Sequence, residues 1–161
     1  MKKLMLIFGL FSSVTALATD TVTLLSRQKY DDYENACYSF AYGTHDSSIT
    51  GNNYEIQYGN GGNTIHVNMV TDDLSFIIDL GKKKSCDEIA KSGDGSLGSL
   101  TAAGIDIRDY TAQHSVEAVA NHCYLAINND SDSSLITLFQ VKTVIPNDRI
   151  EINQIHIIMK R

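Results

Sequence analysis

ANHCYLAIN, residues 120 to 128, sets a histidine beside a cysteine and follows them with a tyrosine and three apolar residues. It can be read as the nucleophile of a thiol enzyme, half of a disulfide, or a strand. From residue 122 the chain alternates, with Cys123, Leu125 and Ile127 on one side and His122, Tyr124 and Ala126 on the other. Alternation with period two marks an extended chain whose successive side chains point to opposite faces. On such a strand the imidazole and the thiol diverge, so His122 cannot activate Cys123. Cys123 also shares its face with leucine and isoleucine, where a thiol acts as a buried, inert hydrophobe. The strand reading prevails, and with it a β fold.

The same signal recurs along the chain. CYSFAYG (37–43) places Tyr38, Phe40 and Tyr42 on one face, and YEIQY (54–58) does the same for Tyr54, Ile56 and Tyr58. GNGGN (59–63) follows, and then TIHVNMV, with Ile65, Val67 and Met69 inward and His66 outward. A glycine cluster that cradles phosphate must open a helix; here a period-two segment follows, so it reads as a hairpin connection. LSFIIDLG (74–81), LITLFQVKTVI (135–145) and RIEINQIHIIMK (149–160) are further strands, the last two joined at Pro146-Asn147-Asp148. In the final strand the apolar phase passes from Ile150 and Ile152 to Ile155, Ile157 and Met159, which predicts a β-bulge near Asn153 and Gln154. Arg27 to Asn35 reads as a polar connection, and a short strand is expected around Ile105 and Ile107. KKKSCDEIAKSG carries Ser85 and Glu88 at capping-box spacing, predicting one short helix near residues 86–92. Seven or eight strands and one small helix make the chain mainly β, a β-sandwich or partly open β-barrel.

The first residues, MKKLMLIFGLFSSVTALA, read as a cleaved export signal. Lys2 and Lys3 precede a short apolar stretch, and Ala16 and Ala18 supply the small residues of a cleavage site. The apolar stretch is far shorter than the roughly 20 residues that span a bilayer. Residues 1–18 are therefore expected to be removed, leaving 19–161 as a single domain, periplasmic or secreted, with no membrane span. The mature chain then has 11 basic and 19 acidic residues, a formal charge of −8. So acidic a surface repels phosphate backbones and argues against nucleic-acid binding; it would attract a basic partner.

Three cysteines in an exported chain leave one over. With Cys123 assigned to an apolar face, Cys37 and Cys86 are the expected disulfide. If Cys86 instead stays a thiol, it follows Lys82, Lys83 and Lys84 at a helix start, where both effects depress its pKa and make it reactive.

Tyr38, Tyr42, Tyr54 and Tyr58 recur on two neighbouring strands and form a candidate contact surface, although their interleaving with Phe40 and Ile56 favours a place in the core. Asn128, Asn129, Asp130 and Asp132 offer oxygens, but the glycine and closing glutamate of a calcium loop are missing. The histidines show no zinc spacing, and no metal or cofactor is expected.

Asp79-Leu80-Gly81, then His122 to Ile127, then Leu138 to Val141 resemble the blocks of an exported bacterial β-rich module. Those blocks are a DLG strand end, a Gly-His-x-Tyr segment with apolar residues, and a closing apolar hairpin. Asn121 stands where that pattern has glycine. The resemblance implies an extracytoplasmic β-domain and assigns no chemistry.

No residues stand at a catalytic spacing. The expectation is therefore an exported, non-enzymatic β-domain that binds a basic protein or an envelope component, as an inhibitor of a cationic hydrolase would. One alternative is a secreted hydrolase using His66, His114 or His122 with an aspartate. A second is a thiol-reactive protein acting through Cys86.

Overall fold

The computed structural model describes residues 21–45, 54–68, 75–82, 86, 104, 106–129 and 134–160, with residues 154–160 as backbone alone. The expected signal segment lies outside them, as does all of the expected helix except Cys86, which is helical.

Two antiparallel five-stranded sheets face each other. The longer one orders β1 (Thr21–Leu25), β10 (Arg149–Lys160), β9 (Ser134–Ile145), β8 (Cys123–Asn129) and β6 (Phe76–Gly81). The shorter one orders β3 (Thr44–His45), β2 (Cys37–Ser39), β4 (Ile56–Tyr58), β5 (Thr64–Val67) and β7 (Ser115–Glu117). They do not close into a barrel; the architecture is the sandwich.

The core between the sheets takes alternate residues from each strand: Ile56 and Tyr58, Ile65 and Val67, Tyr124 and Ala126, Phe139 and Val141, Ile150 and Ile152. Aromatic rings bridge the layers. Phe40, on the turn that follows β2, lies 5.4 Å from Phe139, which stacks at 5.4 Å on Tyr124. Each such pair contributes about 0.5–1.5 kcal/mol beyond area burial. The buried Tyr124 hydroxyl accepts from Val119 N and donates to Glu117 O, both at 2.9 Å, which pins the turn leading into β8. In that turn Asn121 has φ 63°. Asparagine and glycine both tolerate this left-handed geometry, so Asn121 can stand in glycine's place.

A second cluster occupies the outward face of the long sheet: Ile78, Leu80, Cys123, Leu125, Ile127, Ile136 and Leu138, covered by Cys86, Ile107 and Tyr110. Residues 123 to 127 are thus buried on both faces. The opening stretch is a strand, with Cys123 and Tyr124 facing opposite layers.

The β4–β5 hairpin turns on Gly59, Gly61 and Gly62, all at positive φ. At Gly59 a Cβ would come within 2.6 Å of Ser26 Oγ, so the hairpin packs directly on the chain leaving β1. The β9–β10 ladder slips twice, leaving Lys142 and then Ile155 without an opposite residue. The second slip sits one residue beyond the expected bulge. It sets Ile157 and Met159 opposite Thr137 and Leu135.

Two expectations are corrected. Arg27–Asn35 holds two single-turn helices, α1 (Arg27–Tyr30), capped by Ser26, and α2 (Tyr33–Ala36), capped by Asp32. Helices this short have no periodicity to read, only caps. Around Ile107 there is a 3-10 turn (Ile107–Asp109) instead of a strand, because Asp106 accepts from Arg108 N and caps the turn.

Candidate functional site

The cysteines close differently from the expected Cys37–Cys86 pair. Cys86 is bridged to Cys123, with Cα atoms 5.6 Å apart, inside the range a disulfide spans. The reason is the sandwich itself. Cys123 and Cys86 belong to the outer layer of the long sheet, whereas Cys37 lies on the short sheet beside Gln57, whose Nε2 donates to its sulfur at 3.2 Å. A 37-residue separation makes the bridge worth about 4 kcal/mol in the chain-entropy model. Cys86 is 1% exposed and bonded, so it offers no reactive thiol.

Among the histidines, His122 meets an aspartate. Its Nδ1 lies 2.9 Å and 3.0 Å from the two carboxylate oxygens of Asp79, and Gly81 N donates to the same carboxylate at 2.7 Å. The register sets Asp79 opposite Tyr124, so the pair occupies the rim of the inner face, partly exposed. A carboxylate on Nδ1 fixes the tautomer that leaves Nε2 basic. Among the described residues, no serine, threonine or cysteine side chain hydrogen-bonds to this histidine. The other described rings are held structurally. His45 Nδ1 lies 3.2 Å from Cys37 O, His66 Nε2 lies 2.8 Å from Thr64 Oγ1, and His114 Nδ1 lies 3.0 Å from Ser75 O. Among the described residues no three His, Cys, Asp or Glu side chains form a metal-binding group.

The expected tyrosine surface divides. Tyr38 and Tyr58 are core residues and Tyr54 is partly buried, but Tyr42 is 73% exposed. Tyr58 donates to Asn63 Oδ1 at 2.6 Å, and burial pushes its phenol pKa up. Tyr42 stands on a turn fixed by Glu55, whose carboxylate accepts from Phe40 N at 2.5 Å. Burial raises the Glu55 pKa, and the Phe40 N–H partly offsets that rise.

Two further tyrosines escaped the sequence reading. Tyr30 and Tyr33, on α1 and α2, are 43% and 42% exposed. Their rings are held by cations: Arg27 lies 3.5 Å over the Tyr33 ring and Lys29 4.8 Å from the Tyr30 ring. Both cations are also engaged with carboxylates, Arg27 with Asp31 and Lys29 with Asp148. Asp31 and Glu34 point to solvent, and Asp32 accepts from Asn35 N and Nδ2. Those bonds, with a smaller contribution from His45, hold Asp32 below the ordinary carboxylate range. The signal for this surface was YDDYE, tyrosines three apart around acids, preceded by a capping serine.

α2 packs against β1, β2 and β3. Between β1 and β3, at the open side of the sandwich, lies a cleft of about 440 Å³. Thr21, Val22, Thr23 and Leu25 line one wall; Asn35, Tyr38, Gly43 and His45 line the other. Comparison with protein-family models, curated proteins and solved structures finds no match to this chain.

Proposed function

We propose that the mature chain is an exported, non-catalytic β-sandwich that binds a cationic protein or envelope partner, as an inhibitor of a basic hydrolase would. The contact surface is the acidic and aromatic one formed by α1, α2 and the Tyr42 turn. The observation that carries this reading is the exposure of Tyr30 and Tyr33 on the same short segment as the exposed carboxylates of Asp31 and Glu34, with Tyr42 exposed on the turn between β2 and β3. Tyrosine supplies large contact area at small entropic cost and dominates binding hot spots. Cation contacts already orient Tyr30 and Tyr33, which lowers the cost further. The charge of −8 adds long-range attraction and faster association.

Titration of the mature protein against a panel of basic secreted hydrolases tests this. A complex at low salt that weakens as salt screens the charges is expected. Binding to no member at low salt contradicts the reading.

A second reading, a hydrolase, rests on the pairing of His122 with Asp79. A screen on peptide, ester, glycan and nucleotide substrates decides it: turnover lost in His122→Ala supports it, and no turnover removes it.

A further inference from the structure

The long sheet ends at β1, which pairs with β10 on one side only among the described strands. Ser26 N donates to Asp148 O at 2.7 Å, and the register continues through Leu24 opposite Ile150 and Val22 opposite Ile152. In an antiparallel ladder alternate residues exchange both backbone bonds with the partner. Residues 22, 24 and 26 therefore bond to β10, and Thr21, Thr23 and Leu25 turn their N–H and C=O groups the other way. These three residues line the cleft. An open strand edge with free donors and acceptors is a template for another strand.

The cleft supplies the remaining parts of a peptide site. Its volume, about 440 Å³, falls in the ~300–1,000 Å³ range of binding clefts. Val22 and Tyr38 offer apolar surface, and Asn35, Gly43 and His45 form the facing wall. Asp32 lies behind Asn35, bonded to its amide, and Glu34 and Asp31 stand exposed on the same short helices. The cations of that segment, Arg27 and Lys29, are already taken up by Asp31 and Asp148. With Asp31 matched by Arg27, the carboxylates of Asp32 and Glu34 stand in no ion pair among the described residues, and beside an open edge they select a positively charged strand.

We propose that the free edge of β1 captures an extended cationic peptide segment, which adds to the long sheet as a sixth strand and lies in the cleft against Asn35, Gly43 and His45. Strand addition draws affinity from main-chain bonds and specificity from alternate side chains. The inference rests on the proposed function, since it names the part of the basic partner that docks.

The probe is a capped octapeptide of alternating lysine and valine, titrated into the isotopically labelled mature chain at low salt, with a glutamate–valine peptide as control. The lysine peptide is expected to shift and protect the amides of Thr21, Thr23 and Leu25, and the glutamate peptide to leave them unchanged. Thr23→Pro removes an outward N–H without breaking a bond to β10. It is expected to weaken binding by about tenfold or more while melting with the wild type. Methylating alternate amides of the peptide repeats the test on an unaltered protein and is expected to abolish binding.

Binding that leaves the β1 amides unmoved overturns the inference. So do β1 amides already protected without peptide, which would mean that the edge is covered by this chain or a second copy. A basic protein that binds without touching β1 overturns the inference alone and leaves the proposed function standing; failure of every basic protein to bind removes the proposed function.

Discussion

The two sheets carry five strands each, and their outward faces are opposite in character. The long sheet presents Ile78, Leu80, Leu125, Ile127, Ile136 and Leu138, an apolar layer that must be covered. Cys86, Ile107 and Tyr110, from the chain between β6 and β7, pack on it, and the Cys86–Cys123 bridge ties the first of them down. The short sheet presents Cys37, Ser39, Gln57 and His66. Its outward groups need hydrogen bonds instead: Gln57 to the Cys37 sulfur, His66 to Thr64. One sheet is framework on both faces. The other is also buried on both faces at β2 and β4, with polar groups in its outward layer, and α1, α2 and the Tyr42 turn beside it meet the solvent with aromatic and charged groups.

Removing the bridge is the harshest way to break that contrast. The double variant Cys86→Ala with Cys123→Ala is expected to lose about 4 kcal/mol in denaturant unfolding. Cys37→Ala, which leaves the Gln57 amide without its sulfur, is expected to lose about 1–2 kcal/mol. Equal losses would mean that the two outer faces are held alike.

A finer probe is the pH dependence that Glu55 contributes on the short sheet. Its folded pKa is raised by burial above the unfolded value near 4.5. Its share of stability is therefore complete below pH 4.5 and is lost as pH rises through the folded pKa. Asp32 and Asp148 are held below their ordinary range and act oppositely, losing stability as pH falls. Comparing Glu55→Gln with wild type cancels those contributions. The variant is expected to lack the decline above pH 4.5, and parallel stability curves would refute the role given to Glu55.

The fold was largely legible because strands advertise themselves by period two. His122 to Ile127, the glycine hairpin and the phase change in β10 each carried a readable pattern. The β10 phase change located its bulge to within one residue. The disulfide was misread because alternation gives a residue's face but not which element covers it. Cys123 was correctly set on an apolar face, yet nothing in the sequence placed Cys86 over that face. α1 and α2 were missed because one helical turn has no period, so Tyr30 and Tyr33 were passed over in favour of strand tyrosines. Of the four tyrosines named from alternation, Tyr38 and Tyr58 were drawn into the core for the very reason that they alternate. The meeting of Asp79 with His122 depends on the pairing of β6 with β8, which lies in topology and not in spacing.

The central claim is that contact with a partner runs through the tyrosines of α1, α2 and the Tyr42 turn and not through the His122–Asp79 pair. The direct measurement is affinity for one basic protein ligand, compared between His122→Ala and the double variant Tyr33→Ala with Tyr42→Ala, both folded. The account predicts that the tyrosine variant loses at least 2 kcal/mol of binding, roughly thirtyfold, while the histidine variant binds as wild type. Binding lost with His122 and kept without the tyrosines would contradict it.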